Sequence, residues 1–261
     1  MNHREAGWYW EGNAAAWTSL ARQGWDVYRD EVNTPAFLRM LPEIKGKQGL
    51  DVGCGEGHNT RQLAQLGARM TAIDIAPTFI RMAAATDRRE AAGIRYAIAS
   101  GQEIPFAAGQ FDFVTAFMSM MDLPDQSGAL REIHRVLRAG GFLQFSIVHP
   151  CFFPPHRRLM RTQAGDVYAV EVGRYFERID GEIDRWLFSA APREAKAGLK
   201  PFEIPRFHRT LAEWINAVVE AGFAVERVEE PRADADTARR VPAVSDTRLV
   251  AYFLHVRCRK G

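Results

Sequence analysis

Residues 49–148 alternate short apolar runs with stretches whose apolar residues recur at helical spacing. This alternation constrains the fold most. Strands separated by helices of this length pair in parallel, and the connecting helices cover both faces of the sheet. The sequence therefore predicts an α/β core. The predicted strands are residues 49–52, 70–74, 94–99, 111–117 and 142–148, and the predicted helices are residues 59–66, 78–85 and 128–137.

The segments on either side of this core have distinct patterns. Residues 1–45 are rich in tryptophan and place apolar side chains at helical spacing, which predicts one or two helices. Thr210 and Glu213 have the spacing of a capping box, which predicts a helix that ends near Gly222. Residues 225–229 and 249–256 are predicted to close the sheet. We therefore expect an N-terminal helical segment (1–45), a core (46–150), an insertion (151–209) and the end of the core (210–261).

The insertion breaks the alternation after His149 and Pro150. Asp180-Gly181 suits a two-residue turn, so residues 168–179 and 182–188 are predicted to form a hairpin. The segment also holds more aromatic residues than a solvent-facing loop should carry. We expect it to be a mobile cap over a ligand site; the alternative is that these rings pack only among themselves or against a second subunit.

The composition narrows the classes of partner. The chain of 261 residues has 34 Lys and Arg against 32 Asp and Glu, a formal charge of +2, and no long basic run that would neutralise a series of phosphates. Nucleic acid is therefore not expected as a partner. No stretch approaches the roughly 20 apolar residues that cross a bilayer, so no membrane association and a cytoplasmic location are predicted. The three cysteines have no zinc-like spacing and are expected to be reduced.

A glycine-rich loop follows the first predicted strand. Gly53, Gly55 and Gly57 occupy alternate positions directly before a predicted helix. Glycines there let the backbone pass close to a ligand and expose amides at a helix N-terminus. The spacing differs from the Gly-x-Gly-x-x-Gly of dinucleotide-binding folds, and no Lys followed by Ser or Thr completes a P-loop. On this interpretation, a side chain at Gly53 or Gly55 would fill space that a ligand needs.

The segment Asp51-Val52-Gly53-Cys54-Gly55-Glu56-Gly57 resembles motif I of the class I S-adenosylmethionine-dependent methyltransferases. The resemblance extends along residues 49–148. The predicted strands, the acidic residue Asp74 and the Gly140-Gly141 turn follow one another in the order that is typical of that family. It implies a Rossmann-like, mostly parallel seven-stranded sheet with S-adenosyl-L-methionine as cofactor. Asp74, at the end of the second strand, is expected to bind the ribose hydroxyls. The residues expected to bind the cofactor are Asp51, Gly53, Gly55, Gly57, Asp74, Ile75, Ser100, Gly101, Gln102 and Met118.

The resemblance and the near-neutral charge together imply methyl transfer to an oxygen or nitrogen of a small molecule. The open alternatives are an RNA or protein methyltransferase and a non-catalytic protein that binds the cofactor. His149 and His208 are the candidates for a proton acceptor, and Trp17 or Tyr28 could close over the cofactor. No metal site is expected, and the protein is expected to be a monomer or a homodimer. One or two of six arginines could hold an acidic group of the acceptor, namely Arg157, Arg158, Arg174, Arg178, Arg185 and Arg206.

Overall fold

The computed structural model describes all 261 residues and contains eleven strands. In chain order they are β1 (Gln48–Val52), β2 (Arg69–Asp74), β3 (Arg95–Ile98), β4 (Phe111–Phe117), β5 (Leu137–Val148), β6 (His156–Arg161), β7 (Val167–Gly173), β8 (Ile179–Trp186), β9 (Phe202–His208), β10 (Phe223–Glu229) and β11 (Phe253–Lys260).

Seven of these strands form the central sheet in the order β10-β11-β5-β4-β1-β2-β3. Strands β1 to β5 pair in parallel, whereas β11 is antiparallel to both of its neighbours. The predicted Rossmann-like, mostly parallel seven-stranded sheet is therefore confirmed. β5 begins at Leu137 rather than at residue 142, because Leu137 already pairs with Phe111 before a register shift.

Helices flank this sheet on both sides. The eight helices of the chain are α1 (His3–Arg22), α2 (Thr34–Met40), α3 (His58–Gln65), α4 (Pro77–Glu90), α5 (Gln126–Val136), α6 (Arg193–Lys196), α7 (Leu211–Glu220) and α8 (Ala235–Arg240), and α6 lies within the insertion. A π-helical turn spans Arg29–Asn33, and 3₁₀ turns span Met120–Asp122 and Pro242–Arg248. No helix combines the length and the apolar composition needed to cross a bilayer.

The alternating residues of the buried strands give the sheet two apolar faces. Leu50, Val52 and Val114 belong to the larger cluster, which α5 and α7 cover. Met70 and Phe113 point into a second cluster, to which Leu63 of α3 contributes. Since successive side chains of a strand face opposite sides, this division follows directly from the apolar runs in the sequence.

The N-terminal segment is helical, as predicted. Asn2 caps α1 through a capping box with Glu5. The predicted capping box at Thr210 and Glu213 also forms, and α7 follows it. By contrast, β11 begins at Phe253 rather than at residue 249, because the 3₁₀ turn Pro242–Arg248 and the residues after it occupy that stretch.

The insertion consists of two separate hairpins, β6–β7 and β8–β9. The prediction that Asp180-Gly181 forms a hairpin turn is wrong. Both residues lie inside β8, where the pairing register with β9 shifts between Asp180 and Glu182. Gly181 has a φ of 105°. A glycine with positive φ serves a β-bulge as well as a turn, and the sequence pattern does not distinguish the two.

Candidate functional site

A cavity of about 710 Å³ opens at the carboxyl ends of β1, β2 and β4. Parallel α/β sheets bind ligands at this edge, because the loops that leave the strands diverge there. α1 and the β8–β9 hairpin enclose the cavity from the other side, through Trp10 and Trp17 of the helix and Trp186 and Phe207 of the hairpin. The cavity is therefore built from the core, the N-terminal segment and the insertion together.

Residues 53–57, which we call the glycine loop, connect β1 to α3 along the cavity. Gly53, Gly55 and Gly57 have φ values of 72°, 55° and 82°, in the left-handed region that favours glycine. A Cβ on Gly55 would meet no atom within 4 Å. A Cβ on Gly53 would lie 2.4 Å from Cβ of Ser119. The space beside Gly55 is therefore open, as a ligand there would need, whereas a side chain at Gly53 would meet the protein itself.

Gly57 is not part of the cavity wall, contrary to the prediction that it binds the cofactor. A Cβ there would lie 2.9 Å from the Arg61 guanidinium, 2.9 Å from the Tyr96 hydroxyl and 3.1 Å from Cβ of Ala83. It also precedes α3 as its left-handed N-cap residue. The third glycine of the loop therefore permits helix packing.

Asp51 is the penultimate residue of β1, two residues before the glycine loop, and it lines the cavity. Its Oδ2 accepts from the Thr60 hydroxyl at 2.5 Å, and its Oδ1 accepts from the Thr115 hydroxyl at 2.8 Å. Burial raises the pKa of this carboxyl, and the two hydroxyls counteract part of that effect. Asp51 thus joins β1 to α3 and β4, so both of its oxygens are already engaged by the protein.

Asp74 ends β2 and also lines the cavity. Its Oδ2 accepts from the Gly55 amide at 2.8 Å and its Oδ1 from the Ala76 amide at 2.9 Å. Burial raises its pKa to about 6, although these amides favour the ionised form. Each carboxylate oxygen has capacity for a second hydrogen bond, so two hydroxyls of a ligand can still be accepted. Ile75, the next residue, lies on the same wall.

The loop after β3 contributes Ser100 and Gly101 to the cavity. The Ser100 hydroxyl accepts from the Gln102 amide at 3.1 Å, which shapes the turn. Gln102 itself lies in a separate shallow groove with Glu103 and Arg131. The prediction that Gln102 binds the cofactor is therefore not supported by its position, because the turn directs it away from the cavity.

Met118 and Asp122 follow β4 on the cavity wall. Met118 adopts a φ of 52°, and its amide donates to the carbonyl and hydroxyl oxygens of Ser146. Left-handed backbone at a non-glycine residue costs free energy and is typical of functional sites. The Asp122 carboxyl has no hydrogen-bond partner in the protein, and burial together with the charge of Asp74 raises its pKa well above its usual range. Sequence reasoning missed Asp122, although an acid just beyond a strand of this edge is a usable signal.

His149 is buried outside the cavity wall. Its Nδ1 accepts from the Cys151 amide at 3.2 Å, and its Nε2 lies 2.9 Å from a Glu230 carboxylate oxygen. Burial lowers the pKa of the ring, which the Glu230 carboxylate partly offsets. Since both nitrogens already have partners, the position of His149 contradicts a role as proton acceptor.

His208, at the end of β9, does line the cavity. Its Nε2 lies 2.8 Å from the backbone carbonyl oxygen of Tyr175, which fixes the tautomer with hydrogen on Nε2. Nδ1 makes no hydrogen bond with the protein. Burial lowers the pKa of the ring, so that the neutral form is favoured. His208 therefore presents the unprotonated nitrogen that a proton acceptor needs.

The end of the cavity formed by Tyr28, Phe153, Arg157 and Tyr252 is predominantly aromatic, and we call it the aromatic end. The rings of Tyr28 and Tyr252 have centroids 4.5 Å apart, and those of Phe153 and Tyr252 are 4.2 Å apart. The Arg157 guanidinium lies 4.1 Å from the centre of the Phe153 ring. Tyr252 directly precedes β11, so it reaches the same sheet edge as the residues that follow β1, β2 and β4.

Eight of the ten residues predicted to bind the cofactor are thus brought to one cavity wall, and Gly57 and Gln102 are not. Trp17 and Tyr28 lie on this wall as well. Of the six arginines considered for an acidic group, only Arg157 and Arg206 line the cavity. No group of three or more His, Cys, Asp or Glu side chains is arranged to hold a metal ion.

Comparisons with known proteins agree with this geometry. The family model of a methyltransferase domain matches residues 50–145. A ubiquinone biosynthesis O-methyltransferase of Xanthomonas oryzae pv. oryzae is 30% identical over 169 residues, which cover 62% of this chain and 66% of that protein. The match therefore spans just under two thirds of the relative's length.

Two solved structures resemble the whole fold. An S-adenosylmethionine-dependent methyltransferase from Mesorhizobium loti has a TM-score of 0.70 and 25% identity, over 87% of this chain and 96% of that one. A 1,6-didemethyltoxoflavin-N1-methyltransferase from Burkholderia thailandensis, solved with its acceptor and S-adenosylhomocysteine, has a TM-score of 0.57 and 19% identity, over 95% of this chain and 86% of that one. The latter likeness concerns the fold alone.

Proposed function

Because the chain belongs to the class I S-adenosylmethionine-dependent methyltransferases, we propose that it transfers a methyl group from this cofactor to an oxygen or nitrogen of a small molecule. The observation that carries the proposal is that one cavity joins the glycine loop and Asp74 to the aromatic end. A cofactor at the first end and a planar acceptor at the second would share one enclosed space. Enclosure favours methyl transfer, which depends on alignment and on the exclusion of water.

The residues present fit the cofactor. The Asp74 carboxylate is held by the Gly55 and Ala76 amides and retains capacity for the two ribose hydroxyls. Gly55 leaves open space beside it, and Ser100 and Gly101 flank the adenine side. S-adenosylmethionine supplies a methyl group on a positively charged sulfur that is already an activated leaving group. The chain has to orient the acceptor and exclude water.

Two observations favour oxygen as the methylated atom. The relative from Xanthomonas oryzae is named an O-methyltransferase. In addition, His208 lies on the cavity wall with Nδ1 free of protein partners. We propose that this nitrogen accepts the proton of an acceptor hydroxyl. Replacement by Gln should then lower kcat by about 10²- to 10⁴-fold with a smaller change in KM. A kcat within twofold of the wild type would contradict this role.

We further propose that residues 151–209 select the acceptor, since both of their hairpins contribute to the cavity. The test of the function is formation of S-adenosylhomocysteine by the purified protein with S-adenosylmethionine and a panel of hydroxylated and amino-substituted aromatic compounds. The Asp74→Ala variant serves as the control. Turnover only with bulk RNA or protein, or cofactor binding without turnover on any acceptor class, would replace the proposal with one of the two alternatives.

A further inference from the structure

Four arginines line the cavity, and Arg157 differs from the other three in its hydrogen bonds. The guanidinium groups of Arg29, Arg206 and Arg209 each meet at least two protein acceptors through different nitrogens. That of Arg157 meets one, the Asp246 carboxylate, at 3.3 Å from Nη2. Its Nε is buried and has no partner. Buried donors in folded proteins nearly always have a partner. The Arg157 guanidinium, which lines the cavity, therefore keeps hydrogen-bonding capacity that the protein does not use.

The surroundings hold this guanidinium in place. It lies 4.1 Å from the centre of the Phe153 ring and 5.4 Å from that of Tyr252. Asp246 also accepts from the Tyr28 hydroxyl at 2.9 Å through its other oxygen. Aromatic stacking and one ion pair fix the plane of the group, while Nε and Nη1 keep their hydrogens free of protein acceptors. A planar cation that is fixed in place and only partly hydrogen-bonded by the protein suits a carboxylate, which accepts charge-assisted hydrogen bonds from a guanidinium.

The same residues define the shape of the bound molecule. Tyr28, Phe153 and Tyr252 form a cluster of packed rings with centroid distances of 4.2–4.5 Å beside Arg157. Aromatic walls of this kind favour a flat, apolar body. Arg157 lies against two of these rings, so a charged group of a ligand and its ring system could be bound at adjacent points.

We propose that Arg157 determines acceptor specificity by binding a carboxylate, so that the methyl acceptor is a planar aromatic acid. This inference rests on the proposed function, because it identifies the ligand at the aromatic end as the acceptor. It assigns Arg157 to binding and gives it no part in proton transfer. Arg157, which lies in the β6–β7 hairpin of the insertion, is thus the one of the six arginines considered from the sequence that would contact the acceptor.

The test measures binding of matched acids and amides by calorimetry, with and without S-adenosylhomocysteine. The probes are salicylate, 4-hydroxybenzoate and 3-hydroxy-2-naphthoate, each paired with its neutral carboxamide. We expect at least one acid to bind about 10- to 100-fold more tightly than its amide, the range for charge-assisted hydrogen bonds. Arg157→Met should abolish this preference, and Arg158→Met, which changes an exposed neighbour in the same strand, should retain it.

The variant Arg157→Lys controls for a folding defect. It keeps the positive charge but lacks the planar donor set, so it should lose most of the preference for the acid over its amide. The proposal is overturned if no acid is preferred over its amide, or if the preference survives in Arg157→Met. These results are distinguishable from failure of the proposed function. Failure of the proposed function would appear as no turnover of the small-molecule panel by the wild-type protein, whether or not S-adenosylhomocysteine binds, whereas the present test compares binding of acids and amides. Arg157→Met is expected to bind S-adenosylhomocysteine within twofold of the wild type.

Discussion

At the scale of single residues, we expect Asp74 to couple cofactor affinity to pH. Its pKa is raised to about 6 by burial. Ribose hydroxyls donate to the ionised carboxylate, so ligand binding lowers this pKa and affinity rises as the pH increases through about 6. We expect S-adenosylhomocysteine to bind more tightly at pH 7.5 than at pH 5 in calorimetric titrations. Asp74→Asn, which cannot ionise, should bind more weakly by about 1.5–3 kcal/mol at the higher pH.

The control for this pH dependence is Asp26, another cavity residue whose pKa burial raises to about 6. Asp26→Asn should keep the greater part of the dependence if Asp74 binds the ribose. A full pH dependence in Asp74→Asn would show that another group controls affinity.

Gly53 and Gly55 of the glycine loop are expected to separate ligand contact from packing. Gly53→Ala and Gly55→Ala both place alanine in the left-handed region, at a cost of about 1–2 kcal/mol. Only at Gly53 does the new Cβ also meet Ser119. We therefore expect Gly53→Ala to have the lower melting temperature, and Gly55→Ala to stay folded but to lose most of its affinity for S-adenosylhomocysteine. Equal melting temperatures together with unchanged affinity at Gly55 would contradict both assignments.

At the scale of elements, one side chain of α1 docks the edge of β9. Asn13 Nδ2 donates to the Glu203 carbonyl at 2.8 Å, and the Glu203 amide donates to Asn13 Oδ1 at 3.0 Å. Asn13→Ala removes the side-chain partner of the Glu203 carbonyl and of the Glu203 amide. The variant should therefore lower the free energy of unfolding by about 1–3 kcal/mol. Chemical denaturation measures this loss, and hydrogen exchange of the Glu203 amide should accelerate.

The matched control on the same helix is Trp8, whose side chain is 75% exposed. Trp8→Ala should change stability by no more than about 0.5 kcal/mol, although it removes a far larger side chain. If the two variants lost equal stability, the size of the side chain rather than the docking contact would explain the result for Asn13.

At the scale of the whole molecule, the cavity draws its walls from residues as distant as His3 and Phe253. A ligand that contacts these walls should stabilise the entire fold. S-adenosylhomocysteine at 100 times its Kd should add about 2.7 kcal/mol, which corresponds to a rise in Tm of about 5–10 °C for a chain of this size. Scanning calorimetry checks the shift, and Asp74→Ala at the same ligand concentration should show a smaller one. The absence of any shift in the wild type would show that S-adenosylhomocysteine does not bind the folded chain.

The sequence predicts those features that depend on local pattern. Apolar runs predicted every strand of the parallel core, and spacing predicted the Thr210 capping box. The loop and strand-end positions likewise predicted that Asp74, Gly55 and Met118 meet at one edge. These predictions succeed because the carboxyl ends of parallel strands necessarily lie side by side.

The predictions that failed concern the direction in which a residue faces and the distant segments of the chain that it meets. Spacing does not reveal that Gly57 packs against Tyr96 or that the turn at Ser100 directs Gln102 outward. His149 follows a strand of the correct edge, but Glu230 from a distant segment engages its ring. Likewise, the Arg157 site depends on Tyr252 and Asp246, which come together with it only in the folded chain.

The place of β11 in the sheet also affects the order in which the parts of the cavity can form during synthesis of the chain. Strand β11 inserts between β5 and β10, so it forms an interior strand although it is made after the other ten strands. Residues 48–122, which carry the glycine loop, Asp74 and Met118, leave the ribosome long before it. Tyr252, next to β11, cannot take its place beside Arg157 until that strand pairs with β5. We therefore expect the proposed cofactor-binding residues to be available on a nascent chain before the proposed acceptor site, which requires β11 to pair with β5.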